Sequence, residues 1–347
     1  MKKNRWIIIF CFIFFISCEK EEKAIDVIGC TDPLASNYNQ FANISNNSNC
    51  NYESYSTTIP LTSNYQNQIF FNIKNNSFVA ENLKSEWDLA FETGDEGFHI
   101  TINSSTFSKI SSVSNLNFED VNSANNLNWQ WDNPSGNIDS TAIGDYRVTP
   151  ERVWIIDRGL TTNGSSRGFK KFLIENVNEE YYSIRYANLD NSEDTTVNIY
   201  KNNNYHFTQF SFNTNTQIQI EPDMYSWDLL FSQYTHLYEN NTEVPAYLVT
   251  GVLINHLSNV QVAVDSSLNY NDITLNDAST LTNFSNKKNI IGYNWKFFDF
   301  VTQTYTVKTY ITYIIKNNSN EYYKMRFIDF YNEVGEKGFP KIEIQKL

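Results

Sequence analysis

Ser85-Glu86-Trp87-Asp88-Leu89-Ala90-Phe91 returns about 140 residues later as Tyr225-Ser226-Trp227-Asp228-Leu229-Leu230-Phe231. Upstream of each, Phe71-Asn72-Ile73 answers to Phe210-Ser211-Phe212. Downstream, the run 169–186 aligns without gaps on 310–327, setting Phe172 on Tyr313, Glu180-Tyr181-Tyr182 on Glu321-Tyr322-Tyr323 and Arg185 on Arg326. Trp154 falls on Trp295 at the same offset. Solenoid units run about 20–50 residues, so this period is too long for one. It reads instead as two related domains in tandem, 60–200 and 201–347. A chain of 347 residues has the length to build two cores.

The repeated blocks are strand-like. Tyr305, Val307, Thr309, Ile311, Tyr313 and Ile315 alternate with their neighbours at near period two. Asn317-Asn318-Ser319-Asn320 supplies a turn, and Tyr322 to Ile328 alternates again, as in a hairpin. Residues 176–179 play the same turn in the first copy. Composition agrees: aromatic residues reach 16%, with 22 Tyr and 25 Phe, against 12 Gly and 7 Pro. Aromatic and β-branched side chains suit a pleated, half-buried surface, and the many Asn and Ser suit turns. The expected fold is all-β and antiparallel, with few short helices.

Lys2, Lys3 and Arg5 precede an apolar run from Trp6 to Ile16. That run is too short for the roughly 20 residues of a membrane-spanning helix. It reads as a signal peptide over 1–17. Phe15-Ile16-Ser17-Cys18 resembles a lipobox, which implies a lipid on Cys18. The acidic tether over 18–29 carries Glu19-Lys20-Glu21-Glu22-Lys23 and resembles the export signal that places certain bacterial lipoproteins on the outer leaflet of the outer membrane. Loss of residues 1–17 leaves 23 bases against 39 acids, a charge of −16. Such a surface repels phosphate backbones, so nucleic acid is not an expected partner, and the membrane is reached through the anchor alone.

Cys11 leaves with the signal and Cys18 is the anchor, so Cys30 and Cys50 are expected to pair in an oxidising compartment. The segment from Gly29-Cys30-Thr31-Asp32-Pro33 to Cys50-Asn51-Tyr52 resembles a short Cys-bounded module of secreted proteins. With Asp32 as its sole carboxylate, the 30–52 loop reads as a spacer rather than a calcium site.

Each Trp-Asp pair has no companion His or second acid, which favours a structural role. The Trp is expected to fill a core, and the Asp to cap a turn or accept the indole N–H. Arg185 and Arg326 are expected to be half-buried ion-pair partners on strands. No nucleophile elbow, Cys-His arrangement, zinc-type His spacing or phosphate loop is present, so no catalytic residue and no metal site is expected.

Three stretches together resemble the HmuY family of haem-binding surface lipoproteins. They are Trp227-Asp228-Leu229-Leu230-Phe231, Tyr247-Leu248-Val249-Thr250-Gly251-Val252-Leu253-Ile254-Asn255, and the run from Tyr322-Tyr323-Lys324-Met325-Arg326-Phe327 to Lys337-Gly338-Phe339-Pro340. The resemblance is strongest over 201–347, with 60–200 as a diverged copy. It implies an all-β fold of two HmuY-like domains, a cleft for haem, delivery to a TonB-dependent receptor and a part in iron acquisition. The family's best-known members clamp haem iron between two His, but the matching segments here, 262–290 and 297–304, contain none.

Haem iron takes His, Met, Cys or Tyr. The chain's four His are His99, His206, His236 and His256. His236 follows the second Trp-Asp strand among aromatic residues, and His256 opens the loop after Val252-Leu253-Ile254-Asn255. An antiparallel return between them would place both at one end of the domain, so they are the candidate haem-binding pair. Met224 and the tyrosines are secondary candidates; His99 and His206 read as ordinary strand residues. A different reading is a module that holds a peptide, a glycan or a partner protein on its aromatic faces.

Overall fold

The computed structural model describes residues 25–94, 96–148, 152–238 and 240–347. The expected signal peptide over 1–17, Cys18 and the first part of the expected tether lie outside the described residues. Residues up to 50 and residues 51–347 are separate compact units. In the first, Ile28–Gly29 pairs in parallel with Ile44–Ser45, and Cys30 and Cys50 form a disulfide. Closing a loop of this length contributes about 3 kcal/mol. Asp32 accepts the Leu34 N–H at 2.9 Å, a turn role.

The second unit is two β-sandwiches, and the sequence copies do not fold as separate halves. One sandwich packs the sheet Thr195–Tyr200, Tyr181–Ala187, Phe169–Val177, Val153–Asp157, Lys109–Val113 against Thr216–Ile218, Phe207–Ser211, Leu89–Glu92, His99–Ile102, Gly144–Asp145. Its core holds Trp154, Phe91, Phe172, Tyr182 and Phe210. The other packs Gln261–Asp265, Thr312–Lys316, Tyr322–Tyr331, Lys337–Lys346, Ser54–Thr58 against Ala246–Ile254, Leu229–Leu237, Asn67–Asn72, Ser77–Leu83. Its core holds Trp295, Phe71, Phe231, Tyr313 and Phe327. Trp295 stacks on Phe327 at 3.9 Å, a contact that adds about 0.5–1.5 kcal/mol to the area it buries.

The boundary expected near residue 200 is therefore crossed in both directions. Asn67–Asn72, from the first copy, pairs with Leu229–Leu237 of the second. Phe207–Ser211, from the second, pairs with Leu89–Glu92 of the first. Each strand upstream of one Trp-Asp is bonded to the strand that follows the other. The exchange is reciprocal to the level of single bonds: Asp88 N–H donates to the Phe210 carbonyl at 2.8 Å, and Asp228 N–H donates to that of Phe71 at 2.9 Å. In consequence the middle of the chain builds one sandwich, and the two flanks meet to build the other.

The outer sheets are covered alike. Lys171 ties down the Phe118 and Val121 carbonyls at 2.7 and 2.9 Å, and Lys324 ties down those of Tyr270 and Ile273 at 2.7 and 3.0 Å. Arg185 bonds Asp194 and Glu119, and Arg326 bonds Glu343, all part-exposed, as expected. The turn expected at 317–320 is present, with Asn320 at φ 60°. The single strand expected over 305–315 is broken: Thr304–Val307 and Thr312–Lys316 join different sheets, because Lys308 N–H continues the ladder to the Trp295 carbonyl and a turn closed by Ile311 N–H on the Lys308 carbonyl follows. Among the described residues the one α-helix is Leu275–Thr280, capped reciprocally by Thr274 and Asp277.

Candidate functional site

Trp87 and Trp227 do not sit in the sandwich cores. They lie at the seam between the sandwiches, in a cluster with Phe70, Ile220, Leu230, Tyr234 and Leu253. Neither indole bonds its own aspartate: Trp87 Nε1 donates to Gln68 Oε1 at 3.0 Å, and Trp227 Nε1 is buried without a partner. The aspartates cap backbone, as expected of one alternative. Asp88 Oδ2 accepts the Phe212 N–H at 2.9 Å, and Asp228 Oδ2 accepts that of Ile73 at 2.8 Å.

Beside this cluster the seam forms a partly open cavity of about 140 Å³. Its apolar side is Phe70, Trp87, Ile220, Trp227, Leu230 and Tyr234; its polar side is Asp132, His206, Glu221, His256 and Lys288. Five connecting segments supply the polar side, one residue each, since the strands alternate their apolar residues toward the cores. Burial pushes the Asp132 carboxyl up to about 6, against the pull of two backbone N–H bonds, and pushes Glu221 up to about 8. Burial, then the Lys288 charge, lowers His206 and brings His256 down to about 4. Both imidazoles are therefore neutral at pH 7.

Loop 132–141 forms one wall of the cavity. Gly136 has φ +79°, and a Cβ there would stand 2.6 Å from His256 Nε2 and 2.7 Å from Lys288 Cβ. Only glycine allows so close an approach. The Gly136 carbonyl accepts from His256 Nε2 at 2.9 Å. Lys288 links both sandwiches through its backbone, donating to the Ser135 carbonyl and accepting from Ile254 N–H, each at 2.8 Å. His206 Nε2 donates to Ser258 Oγ at 2.9 Å, since the Ser258 hydroxyl proton is given to the Met224 carbonyl.

Of the candidate haem-binding pair, His256 lines this cavity and His236 does not. The hairpin register places them at opposite ends: Leu229 faces Ile254, and His236 faces Tyr247. Seven residues of strand separate those positions, roughly 23 Å at 3.3 Å each. One iron cannot take both. The expectation failed because the return runs the full length of a nine-residue strand. His236 sits edge-on to Tyr238 and Tyr293, at 4.9 and 5.0 Å, with Nδ1 buried and unpartnered. His206, read from the sequence as an ordinary strand residue, stands one residue before its strand and joins His256 in the cavity. Asp132, Glu221 and Lys288 have no motif around them that could have marked them. His99 is a strand residue bonded to Glu92 at 2.7 Å. Among the described residues no group of three or more His, Cys, Asp or Glu could hold a metal ion, and no helix is long and apolar enough to cross a membrane.

The crystal structure of apo PinO from Porphyromonas gingivitis is similar over 85% of this chain and 96% of its own, at 8% identity and a TM-score of 0.28. The apo HmuY analog of Tannerella forsythia is similar over 85% and 95%, at 8% identity and a TM-score of 0.25. No curated protein matches the chain. The profile of the HmuY protein family matches residues 64–344 in one run that spans both sandwiches and the seam, and by that match the chain belongs to the HmuY family.

Proposed function

We propose that this chain is a lipid-anchored protein of the outer-membrane surface that captures haem and passes it to a TonB-dependent receptor. Capture takes place at the seam. The observation that carries this reading is that His206 and His256, both neutral at pH 7, share one cavity with Trp87, Trp227 and Tyr234. Neutral imidazole is the form that ligates iron, and flat aromatic side chains suit a porphyrin face. Membership of the HmuY family supports haem as the cargo, and the role is binding rather than catalysis.

A porphyrin is larger than a cavity of about 140 Å³; ligand sites for molecules of drug size run about 300–1,000 Å³. Entry requires loop 132–141 to lift Gly136 away from His256 and Lys288. The same volume favours a second reading, a ligand the size of one aromatic ring.

Absorbance titration of the purified protein with haemin tests the proposal. The expected result is a Soret band saturating near one equivalent. His256→Ala and His206→Ala should each weaken binding at least tenfold, while His236→Ala leaves it unchanged. No spectral shift at micromolar haemin would remove haem as the cargo.

A further inference from the structure

The acceptors at the polar end of the seam cavity are largely spent, and two donors are not. Asp132 Oδ1 accepts the Ala142 N–H and Oδ2 that of Ile102, both at 2.8 Å. Glu221 Oε2 accepts the Phe207 N–H at 3.1 Å. Its raised pKa of about 8 leaves it protonated at neutral pH. The Trp227 side chain is 5% exposed, and its Nε1–H finds no acceptor in hydrogen-bond geometry, although Glu221 is near. Lys288 is half-buried; burial lowers its pKa against the pull of the Asp132 carboxylate, and among the described residues it forms no ion pair with Asp132 or Glu221. His206 and His256 also face it, and neither is charged at pH 7.

A buried donor without an acceptor, as Trp227 Nε1 is, is costly, and the half-buried Lys288 adds a cation beside it. Here they stand at one end of a cavity whose other side is Phe70, Leu230 and Tyr234. We propose that the seam cavity recognises a carboxylate on an apolar body, with the carboxylate on Lys288 Nζ and Trp227 Nε1 and the body against Phe70, Leu230 and Tyr234. The inference deepens the capture reading and rests on the seam being the ligand site. Haem carries two propionates, so the same chemistry would be met by haem with the loop lifted or by a one-ring carboxylate with it closed. An apolar cavity of about 150 Å³ accepts benzene, and the volume here is about 140 Å³.

Calorimetric titration with benzoate and with benzamide, its neutral counterpart, tests the pocket; haemin against its dimethyl ester separates the sources. The intact protein should bind benzoate at least tenfold more tightly than benzamide. Lys288→Met should bring the two within twofold, Lys288→Arg should keep the preference, and Trp227→Phe should lose a few-fold of it. Thermal melts of the four proteins show that each is folded. Equal binding of benzoate and benzamide, or binding of neither, overturns the pocket. A benzoate preference without haemin binding sinks the haem cargo and upholds the pocket. Haemin bound as well as its ester, with no benzoate preference, does the reverse.

Discussion

Asp88 and Asp228 occupy matching corners of the two sandwiches and are held by matching backbone bonds, yet their charges are met differently. Asp88 is fully buried between Arg158, at 3.0 Å, and Arg167, at 2.9 Å. Asp228 is 2% exposed and, among the described residues, has no cation in ion-pair range, and burial pushes its carboxyl up to about 6. Around both, the same asparagine closes the corner. Asn103 Nδ2 donates to the Trp87 carbonyl at 2.8 Å, and Asn255 Nδ2 donates to that of Trp227 at 3.0 Å. What the copies share is therefore the backbone cap. The ion pairs belong to one copy only, so the repeated aspartate is kept by its bond to an exchanged strand.

The comparison fails first if Asp88→Ala is mild. Two buried guanidinium groups would lose their counter-ion, and breaking such a pair costs about 3–5 kcal/mol. Urea unfolding at pH 7 measures it; a loss under about 1 kcal/mol would show that water or other carbonyls hold the arginines.

Asp228→Asn should be smaller and depend on pH. Below about pH 3 the carboxyl is protonated in folded and unfolded chains alike and contributes nothing. As pH rises past its ordinary value of 3.8 toward the folded value of about 6, the unfolded chain releases its proton first, and the folded state loses stability. The cost levels off near 3 kcal/mol at pH 7 on the scale of about 1.4 kcal/mol per unit. Asparagine still accepts the Ile73 N–H without that penalty. Relative to the parent, Asp228→Asn should therefore gain about 3 kcal/mol between pH 3 and pH 7. A difference flat with pH would mean that Asp228 is not the buried acid described.

Asn103→Ala and Asn255→Ala sharpen the likeness itself. Each leaves two carbonyls short of a donor, those of Lys84 and Trp87 or of Met224 and Trp227. Each should cost about 1–3 kcal/mol, and the two should agree closely. A large effect at one and none at the other would end the equivalence of the corners. Smallest is Gly136→Ala, at about 1–2 kcal/mol for a left-handed residue, with faster haemin entry as loop 132–141 is pushed off His256; slower entry would count against the loop as the closing element.

How far the sequence could be read follows from the same corners. The Trp-Asp blocks, the alternation after Tyr322 and the turn at Asn317–Asn320 are local patterns, and each identified its element. Pairing partners are not local. Phe71-Asn72-Ile73 presents the same face whether it joins the strand after Trp87 or after Trp227, so period-two reading cannot see the exchange. Trp87 and Trp227 were expected to fill cores, because a large aromatic residue in a strand block carries no sign of which face meets a second sandwich. The polar side of the cavity comes from loops without periodicity, and there only chemistry, as with His256, gave a lead. The Cys30–Cys50 pairing was legible because the expected leader and anchor assign Cys11 and Cys18 and leave two cysteines over.

If ligand enters and is held at the seam, binding should leave its mark there. Amide hydrogen exchange with and without haemin addresses it directly. Changes in protection should concentrate in 131–141 and 284–292 and at the corners around Trp87 and Trp227, with the outer sheets unaltered. Haemin that binds without altering these segments, or that protects the far end of the hairpin around His236 and Tyr247, would contradict binding at the seam.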